Sequence, residues 1–403
     1  MSIIDKFSDS KTARQVVEAV QALLIEKGKF TIPEVAERTG ISMTTVSKYV
    51  TGLLDEGNIS AIDVVKTDKR GRRPVLYGVA QRVKYFASID IRQFEIAFGL
   101  MDYSGNMLAE KTDRSFSYEN TSGSLERACS LFESFLEEKG VAASDVVSLC
   151  AILGGRVNSH TGLSATKYTL EELSGTTLAD YMTDRLGIRC YIENDTKAMA
   201  YGEYIACASQ YRDVLFLNVG WGLGLGMVLD GKLHYGKDGY SGEFGHVPVY
   251  DNDVFCHCGK KGCLETEVSG SAIHRKLIQR IKAGESSRLS SKVFRGEPVS
   301  LVDILEAASM EDPLCVDLIS KTGSELGRHV SSLINIFNPE CIIVGGRLSQ
   351  AASYYFLYPL QASIRKYSLR LMSHNLQIIT SKLGERSGIF GACMVARNRH
   401  FSE

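Results

Sequence analysis

The sequence lacks any uninterrupted apolar run of the roughly 18 residues that a membrane-spanning helix needs. It also lacks a pronounced net charge, because 46 Lys and Arg residues against 47 Asp and Glu residues leave a formal charge of −1 at pH 7. Any nucleic-acid-binding surface therefore has to be local. The first residues, MSIIDKFSDSKTARQ, show no apolar core or cleavage site, so we expect no signal peptide.

The ten cysteines do not have the arrangement of a disulfide framework. Seven of them are scattered, and several fall in apolar, core-like segments. A long chain without a secretory signal is expected in the reducing cytoplasm, where thiols stay free. With 403 residues, of which 44% are hydrophobic and 23% charged, the chain is expected to form two or three globular domains.

The first eighty residues have the pattern of a helix-turn-helix domain. Apolar residues at helical spacing predict a helix over residues 11–26. Thr31 then caps a second helix, Gly40 permits a tight turn, and Ser42 caps a third helix. In a helix-turn-helix this third helix enters the DNA major groove. The candidate DNA contacts on its outer face are Met43, Thr44, Thr45 and Lys48.

Two predicted strands, 59–65 and 75–79, flank a basic tip with the sequence KTDKRGRRP. A basic hairpin beside a recognition helix is the layout of a winged helix-turn-helix, whose wing contacts phosphates or the minor groove. A solvated charged loop on a protein-interaction domain is the competing interpretation. We favour double-stranded DNA as the partner, because the basic run falls where a wing belongs. The candidate wing contacts are Lys69, Arg70, Arg72 and Arg73.

The rest of the chain contains two stretches of similar design, YFASIDIRQFEIAFGLMDYSGNML and VLFLNVGWGLGLGMVLDGKLHYG. Each predicts an apolar strand, a tight turn, a returning strand and a second turn, and helices follow in both halves. This repetition predicts an α/β body of two related lobes. The alternating glycines from Gly220 to Gly226 lead into a strand, which excludes a dinucleotide-binding loop. They either let backbone approach a phosphate or relieve crowding.

A compact group of metal-binding residue types lies in the stretch GEFGHVPVYDNDVFCHCGKKGCLE. One histidine and three cysteines make a closed tetrahedral set, so we expect one structural zinc ion per chain. A redox pair and chance clustering are the alternatives. His257 is a rival imidazole, but its position between two ligand cysteines hinders joint ligation. The predicted ligands are His246, Cys256, Cys258 and Cys263.

The segment YIENDTKAMAYGEY predicts a strand that ends near Ile192 and a helix that starts at Asn194 or Asp195. A carboxylate at this position can accept a hydrogen bond from a hydroxyl group or take up its proton. An ordinary helix N-cap is the simpler explanation when the segment is taken alone.

Together these residues resemble the ROK family of sugar-responsive repressors and sugar kinases. The resemblance extends from the winged helix to GERSGIFGACMVAR, and the Gly-Glu-Phe-Gly-His element with its cysteine loop carries most of it. The family implies a two-lobed, actin-like (ribonuclease-H-like) α/β body behind a winged helix-turn-helix. It also implies a sugar site in which one histidine joins the zinc to the pocket. The sugar contacts implied are Asn194, Asp195, Glu243, His246 and Glu265.

The chain departs from the family's kinases at both turns that hold the phosphates of ATP. The first turn, Asp-x-Gly-Gly-Thr in the kinases, keeps Asp90 but continues with Arg92 and Gln93. The second, Gly-Thr-Gly, carries Trp221 at its centre. Such side chains are expected to crowd a nucleotide, since a backbone phosphate cradle needs glycine for close approach. We therefore expect no enzymatic activity, and Asp195 to bind sugar without doing chemistry.

The sequence thus predicts a transcriptional repressor that a sugar or sugar phosphate releases from its operator. An ATP-dependent sugar kinase that kept a DNA-binding domain is the alternative. The expected domains are a winged helix over residues 1–83, a first lobe over 84–195 and a second lobe over 196–403, with the C-terminal helix returning to the first lobe. DNA-binding logic and the family imply a homodimer or a dimer of dimers. Gly155-Arg156 replaces the family's Pro-Gly, so the resemblance does not identify the sugar.

Overall fold

The structure is a computed structural model, and it describes residues 11–55, 59–64, 74–79, 84–169, 171–351 and 353–402. The predicted wing contacts Lys69, Arg70, Arg72 and Arg73 lie outside these residues. The chain divides into two compact units. The first comprises residues 1–153, 161–193 and 392–403, and the second comprises residues 154–160 and 194–391.

The first unit begins with a small helical domain that carries a three-stranded sheet in the order β1-β3-β2. Thr31 and Glu34 form a reciprocal capping box at the start of the second helix, and Gly40 ends that helix at φ 69°. The Ser42 hydroxyl accepts a hydrogen bond from the Thr45 N–H, as an N-cap does. The elements are α1 (Lys11–Lys27), β1 (Lys29–Thr31), α2 (Ile32–Thr39), α3 (Met43–Asp55), β2 (Ile59–Val64) and β3 (Val75–Val79).

The body that follows contains two five-stranded sheets. Its strands are β4 (Tyr85–Ile91), β5 (Ile96–Asp102), β6 (Met107–Asp113), β7 (Val146–Leu153), β8 (Val157–Asn158), β9 (Leu163–Ser164), β10 (Cys190–Asn194), β11 (Val214–Val219), β12 (Leu223–Leu229), β13 (Lys232–Leu233), β14 (Cys341–Gly345) and β15 (Gln377–Thr380). Its helices are α4 (Ser122–Glu138), α5 (Leu178–Leu186), α6 (Asp195–Glu203), α7 (Glu265–Val268), α8 (Gly270–Lys282), α9 (Ser290–Phe294), α10 (Leu301–Ser309), α11 (Pro313–Phe337), α12 (Arg347–Ala351), α13 (Ser353–Tyr367), α14 (Arg370–Ser373) and α15 (Ser387–Ser402).

The two sheets have the same topology, which confirms the duplicated design expected from the sequence. The sheet of the first unit has the order β10-β7-β4-β5-β6, and β4 is antiparallel to β5 but parallel to β7. The sheet of the second unit has the order β13-β12-β11-β14-β15, and β11 is antiparallel to β12 but parallel to β14. Each sheet is therefore an antiparallel meander extended by parallel strands, the mixed α/β architecture of a ribonuclease-H-like body. Among the described residues, no helix combines the length and apolarity needed to cross a membrane.

The alternating glycines of β12 let helix α6 lie directly against the sheet. A Cβ atom added at Gly224 would fall 2.3 Å from the Thr196 Oγ1 atom, and one at Gly226 would fall 2.3 Å from the Ala200 Cβ atom. Both distances are far below van der Waals contact. Of the two explanations left open by the sequence, the geometry at these two positions supports relief of crowding.

Helix α15 approaches the other side of α6 equally closely. A Cβ atom at Gly391 would lie 1.8 Å from the Ala198 carbonyl oxygen and 3.1 Å from the Gly202 nitrogen. These neighbours are backbone atoms, which cannot move aside without displacing the helix. Helix α6 is thus held between β12 and α15 at separations that require glycine.

We expect Gly391→Ala to lower the free energy of unfolding by at least about 2 kcal/mol, because overpacking against backbone cannot be relieved by a rotamer change. Differential scanning calorimetry of the purified chain measures this loss. The matched control is Gly123→Ala in α4, where the added methyl group meets nothing closer than the Thr121 hydroxyl at 3.9 Å. That variant should be stabilised by about 0.4–1 kcal/mol. Equal unfolding temperatures for Gly391→Ala and Gly123→Ala would contradict this packing.

Candidate functional site

The second unit presents two polar residues where β10 passes into α6. Asn194 is the N-cap of α6, and its Oδ1 atom accepts a hydrogen bond from the Lys197 N–H at 3.0 Å. Its Nδ2 atom donates to the Gly155 carbonyl at 2.9 Å. The Asp195 carboxylate accepts from the Thr196 N–H at 2.6 Å, and both Asn194 and Asp195 are half-buried. The capping role is therefore real, and it leaves a carboxylate fixed at the surface of the unit.

Glu243 lies between an arginine and the histidine of the cysteine loop. Its Oε2 atom lies 3.6 Å from the His246 Nε2 atom and 3.8 Å from the Arg156 Nε atom. Burial raises the pKa of the Glu243 carboxyl above its ordinary value, and the charge of Asp195 adds to the rise. Arg156 and Lys197 act in the opposite direction. The negative charge of Asp195 therefore acts on the Glu243 carboxyl.

Glu265 lies at the start of α7 and is buried. Its Oε2 atom accepts a hydrogen bond from the Leu223 N–H at 2.8 Å, so the carboxylate is tied to the first residue of β12. Its Oε1 atom lies 3.2 Å from the Nδ1 atom of His257. The charge of Glu265 also acts on the nearby His246. The five predicted sugar contacts therefore lie in one unit, and two of them, Glu243 and His246, are in direct proximity.

The four predicted metal ligands come together at the cysteine loop. The ligand atoms of His246, Cys256, Cys258 and Cys263 all lie within 4.8 Å of one another. The Cys256 Sγ atom is 3.4 Å from the His246 Nδ1 atom, and the Sγ atoms of Cys258 and Cys263 are 3.6 Å apart. This spacing and this set of thiols and imidazole fit a metal ion with four protein ligands.

His246 uses its two ring nitrogens in different directions. Nδ1 faces the Cys256 thiol, whereas Nε2 faces the Glu243 carboxylate. Burial lowers the pKa of the His246 ring, which favours the neutral form that binds metal. The His246 side chain therefore lies between the cysteine loop and the Glu243 carboxylate.

Backbone hydrogen bonds shape the cysteine loop itself. The Cys256 N–H donates to the Lys260 carbonyl at 2.8 Å, and the Gly259 N–H donates to the Cys256 carbonyl at 2.9 Å. The chain returns through an isolated bridge between Pro248 and Cys263. These contacts bring cysteines that are five and seven residues apart in sequence to the same point.

Three further residues lie at this site whose roles are not evident from the sequence pattern. Arg156 was noted as a departure from the family, and its guanidinium lies beside Glu243. Lys197 is buried and donates from Nζ to the Gly239 carbonyl at 2.7 Å. A lysine in the first turn of a helix is unfavourable with respect to the helix dipole, and this is the feature of the sequence that indicates a special role for Lys197. The His257 Nδ1 atom lies 3.9 Å from the Cys256 sulfur.

The altered first turn of the first unit forms an ion-pair cluster. The Arg92 Nε atom donates to the Asp90 carboxylate at 2.8 Å, and its Nη1 atom donates to Glu95 at 2.7 Å. Burial lowers the pKa of the Arg92 guanidinium, but the charge and hydrogen bond of Asp90 outweigh this and raise it above its ordinary value. Gln93 is exposed. Arg92 thus engages the carboxylate that the kinases keep in this turn.

The altered second turn places an aromatic ring at the surface of the second unit. The Trp221 side chain is 56% exposed and packs against the His274 ring with a centroid separation of 5.6 Å. The Trp221 carbonyl accepts a hydrogen bond from the Ser271 N–H at the start of α8. The turn is therefore closed against the helix through its own backbone.

The predicted recognition helix α3 has an accessible outer face. Met43, Thr44 and Lys48 are exposed, whereas Thr45 is half-buried and its hydroxyl lies 2.9 Å from the Ser42 hydroxyl. A groove-binding helix requires such an exposed polar face. The DNA contacts themselves stay a prediction.

The fold and the site define a two-sheet, ribonuclease-H-like α/β protein with a thiol-rich loop that could hold a metal ion, beside an acidic polar site. Residues 86–399 match the ROK family, and the chain belongs to this family. The resemblance inferred from the residues is thereby confirmed.

Similar proteins include both regulators and kinases. The DNA-binding transcriptional dual regulator NagC of Escherichia coli K12 is 27% identical, with 94% of this chain and 91% of that protein covered. The xylose repressor of Caldicellulosiruptor bescii is 28% identical over 89% of each chain. A crystal structure of a ROK family transcriptional regulator, a homologue of the E. coli MLC protein, superposes with a TM-score of 0.80 at 27% identity, covering 96% of this chain and 97% of the other. The crystal structure of a ROK family glucokinase from Streptomyces griseus, in complex with glucose and AMPPNP, superposes with a TM-score of 0.66 at 27% identity. It covers 78% of this chain and 99% of the other.

Two replacements of Asn194 should distinguish its role as a helix cap from the hydrogen bond that its Nδ2 atom donates to Gly155. Asn194→Ala removes the acceptor of the Lys197 N–H and should cost about 1–2 kcal/mol of unfolding free energy. Asn194→Asp keeps an acceptor at the helix N-terminus and should cost less. Thermal unfolding followed by circular dichroism measures both. Equal losses would show that the hydrogen bond to Gly155, not the cap, makes the contribution.

Proposed function

We propose that the chain is a sugar-responsive transcriptional repressor. Its winged helix binds double-stranded operator DNA, and the polar site of its second unit binds a sugar or sugar phosphate. The observation that carries the proposal is that one unit holds the polar residues Asn194, Asp195, Glu243, His246 and Glu265, in a chain that also has a helix-turn-helix. Relatives named as a transcriptional dual regulator and a xylose repressor, matched over most of their length, support it.

The polar site suits a pyranose because its hydroxyl groups need fixed donors and acceptors. Asp195, Glu243 and Glu265 offer carboxylate acceptors, and Asn194 offers an amide. A site built from such groups rejects ligands that lack the matching hydroxyl, because its own polar atoms would be left unpaired. Arg156 and Lys197 add positive charge that compensates part of the carboxylate charge.

The proposed response to sugar is a population shift. Sugar binds one conformational state more tightly, and that state has low affinity for the operator. In a homodimer or a dimer of dimers, a change in the spacing of the two winged helices is enough to lose the match with the half-sites. Domains over residues 1–83, 84–195 and 196–403 are part of this proposal.

The thiol-rich loop is proposed to hold one structural zinc ion through His246, Cys256, Cys258 and Cys263. Bound there, the ion would supply four bonds that fix the loop. The protein residues do the rest: His246 keeps its second nitrogen toward Glu243, and Leu223 holds Glu265. The loop would thereby fix the orientation of two sugar contacts.

The chain is proposed not to be an enzyme. Asp90 is engaged by Arg92, and Trp221 stands where the kinases have a small residue. The alternative is a sugar kinase, which is favoured by the half-buried Asp195 carboxylate and by the glucokinase relative. An ADP-release assay with glucose, N-acetylglucosamine, mannose and xylose tests this. Turnover of about 1–100 per second would establish the kinase instead.

We expect the purified chain to bind DNA from upstream of its own gene, and one sugar or sugar phosphate to weaken that binding. Anisotropy of the labelled DNA, recorded at fixed salt, measures both effects, because DNA affinity depends strongly on ionic strength. DNA binding that no sugar or sugar phosphate of a broad panel alters, although one of them binds, would contradict the proposed response.

Lys48→Ala should weaken DNA binding and reduce the slope of log affinity against log salt by about 1, because one phosphate contact is lost. The control is Lys282→Ala, an equally exposed lysine near the end of α8 in the second unit. Its slope should match that of the unmodified protein. A Lys48→Ala slope that equals the control would place the recognition surface elsewhere.

Elemental analysis should find one zinc ion per purified chain, and Cys256→Ser should remove it. This thiol is buried and faces His246, so the variant lacks one of the four proposed zinc ligands. The control is Cys129→Ser, which changes a buried cysteine of α4 in the first unit. Zinc retained in full by Cys256→Ser would exclude the proposed ligand set.

A further inference from the structure

The cysteine loop carries a second group of metal-binding atoms that overlaps the first. It consists of His246, Cys256, His257 and Glu265, whose ligand atoms all lie within 4.8 Å of one another. The second group shares His246 and Cys256 with the three-cysteine group. Because two ligands are common, the groups compete for one ion.

The ligand types of the second group suit the same ion. An imidazole nitrogen and a carboxylate oxygen take the places of two thiolates, and zinc accepts all three kinds of ligand. Three thiolates carry one negative charge more than a divalent ion neutralises, whereas one thiolate and one carboxylate balance it. An ion in the second group is therefore charge-balanced, whereas the three-thiolate group leaves one negative charge to be compensated by its surroundings.

His257 and Glu265 lie where they can bind a metal ion without a rearrangement of the loop backbone. One oxygen of Glu265 is held by the Leu223 N–H, and the other lies 3.2 Å from the His257 Nδ1 atom. That Nδ1 atom is 3.9 Å from the Cys256 sulfur. The His257 side chain is 73% exposed, so its ring can turn without leaving a packed core.

We propose that the chain has two alternative metal-ligand sets, and that His257 and Glu265 hold the ion when Cys258 is not available as a ligand. Glu265 is also a proposed sugar contact, so an ion in the second set withdraws this carboxylate from the sugar. That consequence rests on the proposed function. The existence of the second set does not.

A double-mutant cycle with cobalt(II) tests the second set on the full chain. His257→Ala should change cobalt affinity less than about twofold in the unmodified protein and lower it at least about tenfold in Cys258→Ser. The sulfur-to-cobalt absorption of Cys258→Ser should fall to roughly one third, since one of three thiolates remains a ligand in the second set. If Cys256 and Cys263 both remained ligands instead, roughly two thirds of this absorption would be left.

Equal effects of His257→Ala in both backgrounds, or absorption near two thirds, would overturn the proposal. Should Cys258→Ser lose its folded circular dichroism spectrum, the same cycle is run with Cys258→Ala, because this cysteine is half-buried. Cys256→Ser, which removes a ligand of both sets, should abolish cobalt binding in either background. The readout is the metal alone, so a failure of DNA or sugar binding does not affect it.

Discussion

The close packing of α6 is the constraint on which the candidate site depends. This helix carries Asn194 and Asp195 at its start, and it is packed between two elements that have glycines at their closest approach to it. Gly224 and Gly226 allow the helix to pack closely against β12, and Gly391 allows it to pack closely against α15. The position of the acidic site is therefore fixed by backbone contact, which is stiffer than contact through flexible side chains.

The chemistry of the site follows from how its charges are compensated. Three carboxylates lie within a small, partly buried region, and such a cluster is costly unless cations or N–H groups compensate it. Arg156 and Lys197 supply the cations, and the Leu223 N–H supplies a fixed donor. Hydroxyl groups of a ligand would meet acceptors that are already oriented, so little ordering would be left to the moment of binding.

The sequence was sufficient for the duplicated architecture and the first ligand group, because both depend on local pattern. Strand periodicity and turn residues indicate each meander, and the spacing of Cys256, Cys258 and Cys263 indicates a metal. It was insufficient for Lys197 and His257, whose significance depends on contacts across the fold. The ion pair between Arg92 and Asp90 is likewise not evident from the sequence. Individual side-chain contacts of this kind leave no periodic signal.

Trp221 is the single tryptophan of the chain. It lies half-exposed on the His274 ring, next to Gly222, where an added Cβ atom would fall 2.6 Å from the Glu265 carboxylate. Indole emission responds to the polarity of its surroundings and is quenched by a protonated imidazole. The chain therefore has a built-in optical probe at the edge of its acidic site, with no second indole to obscure it.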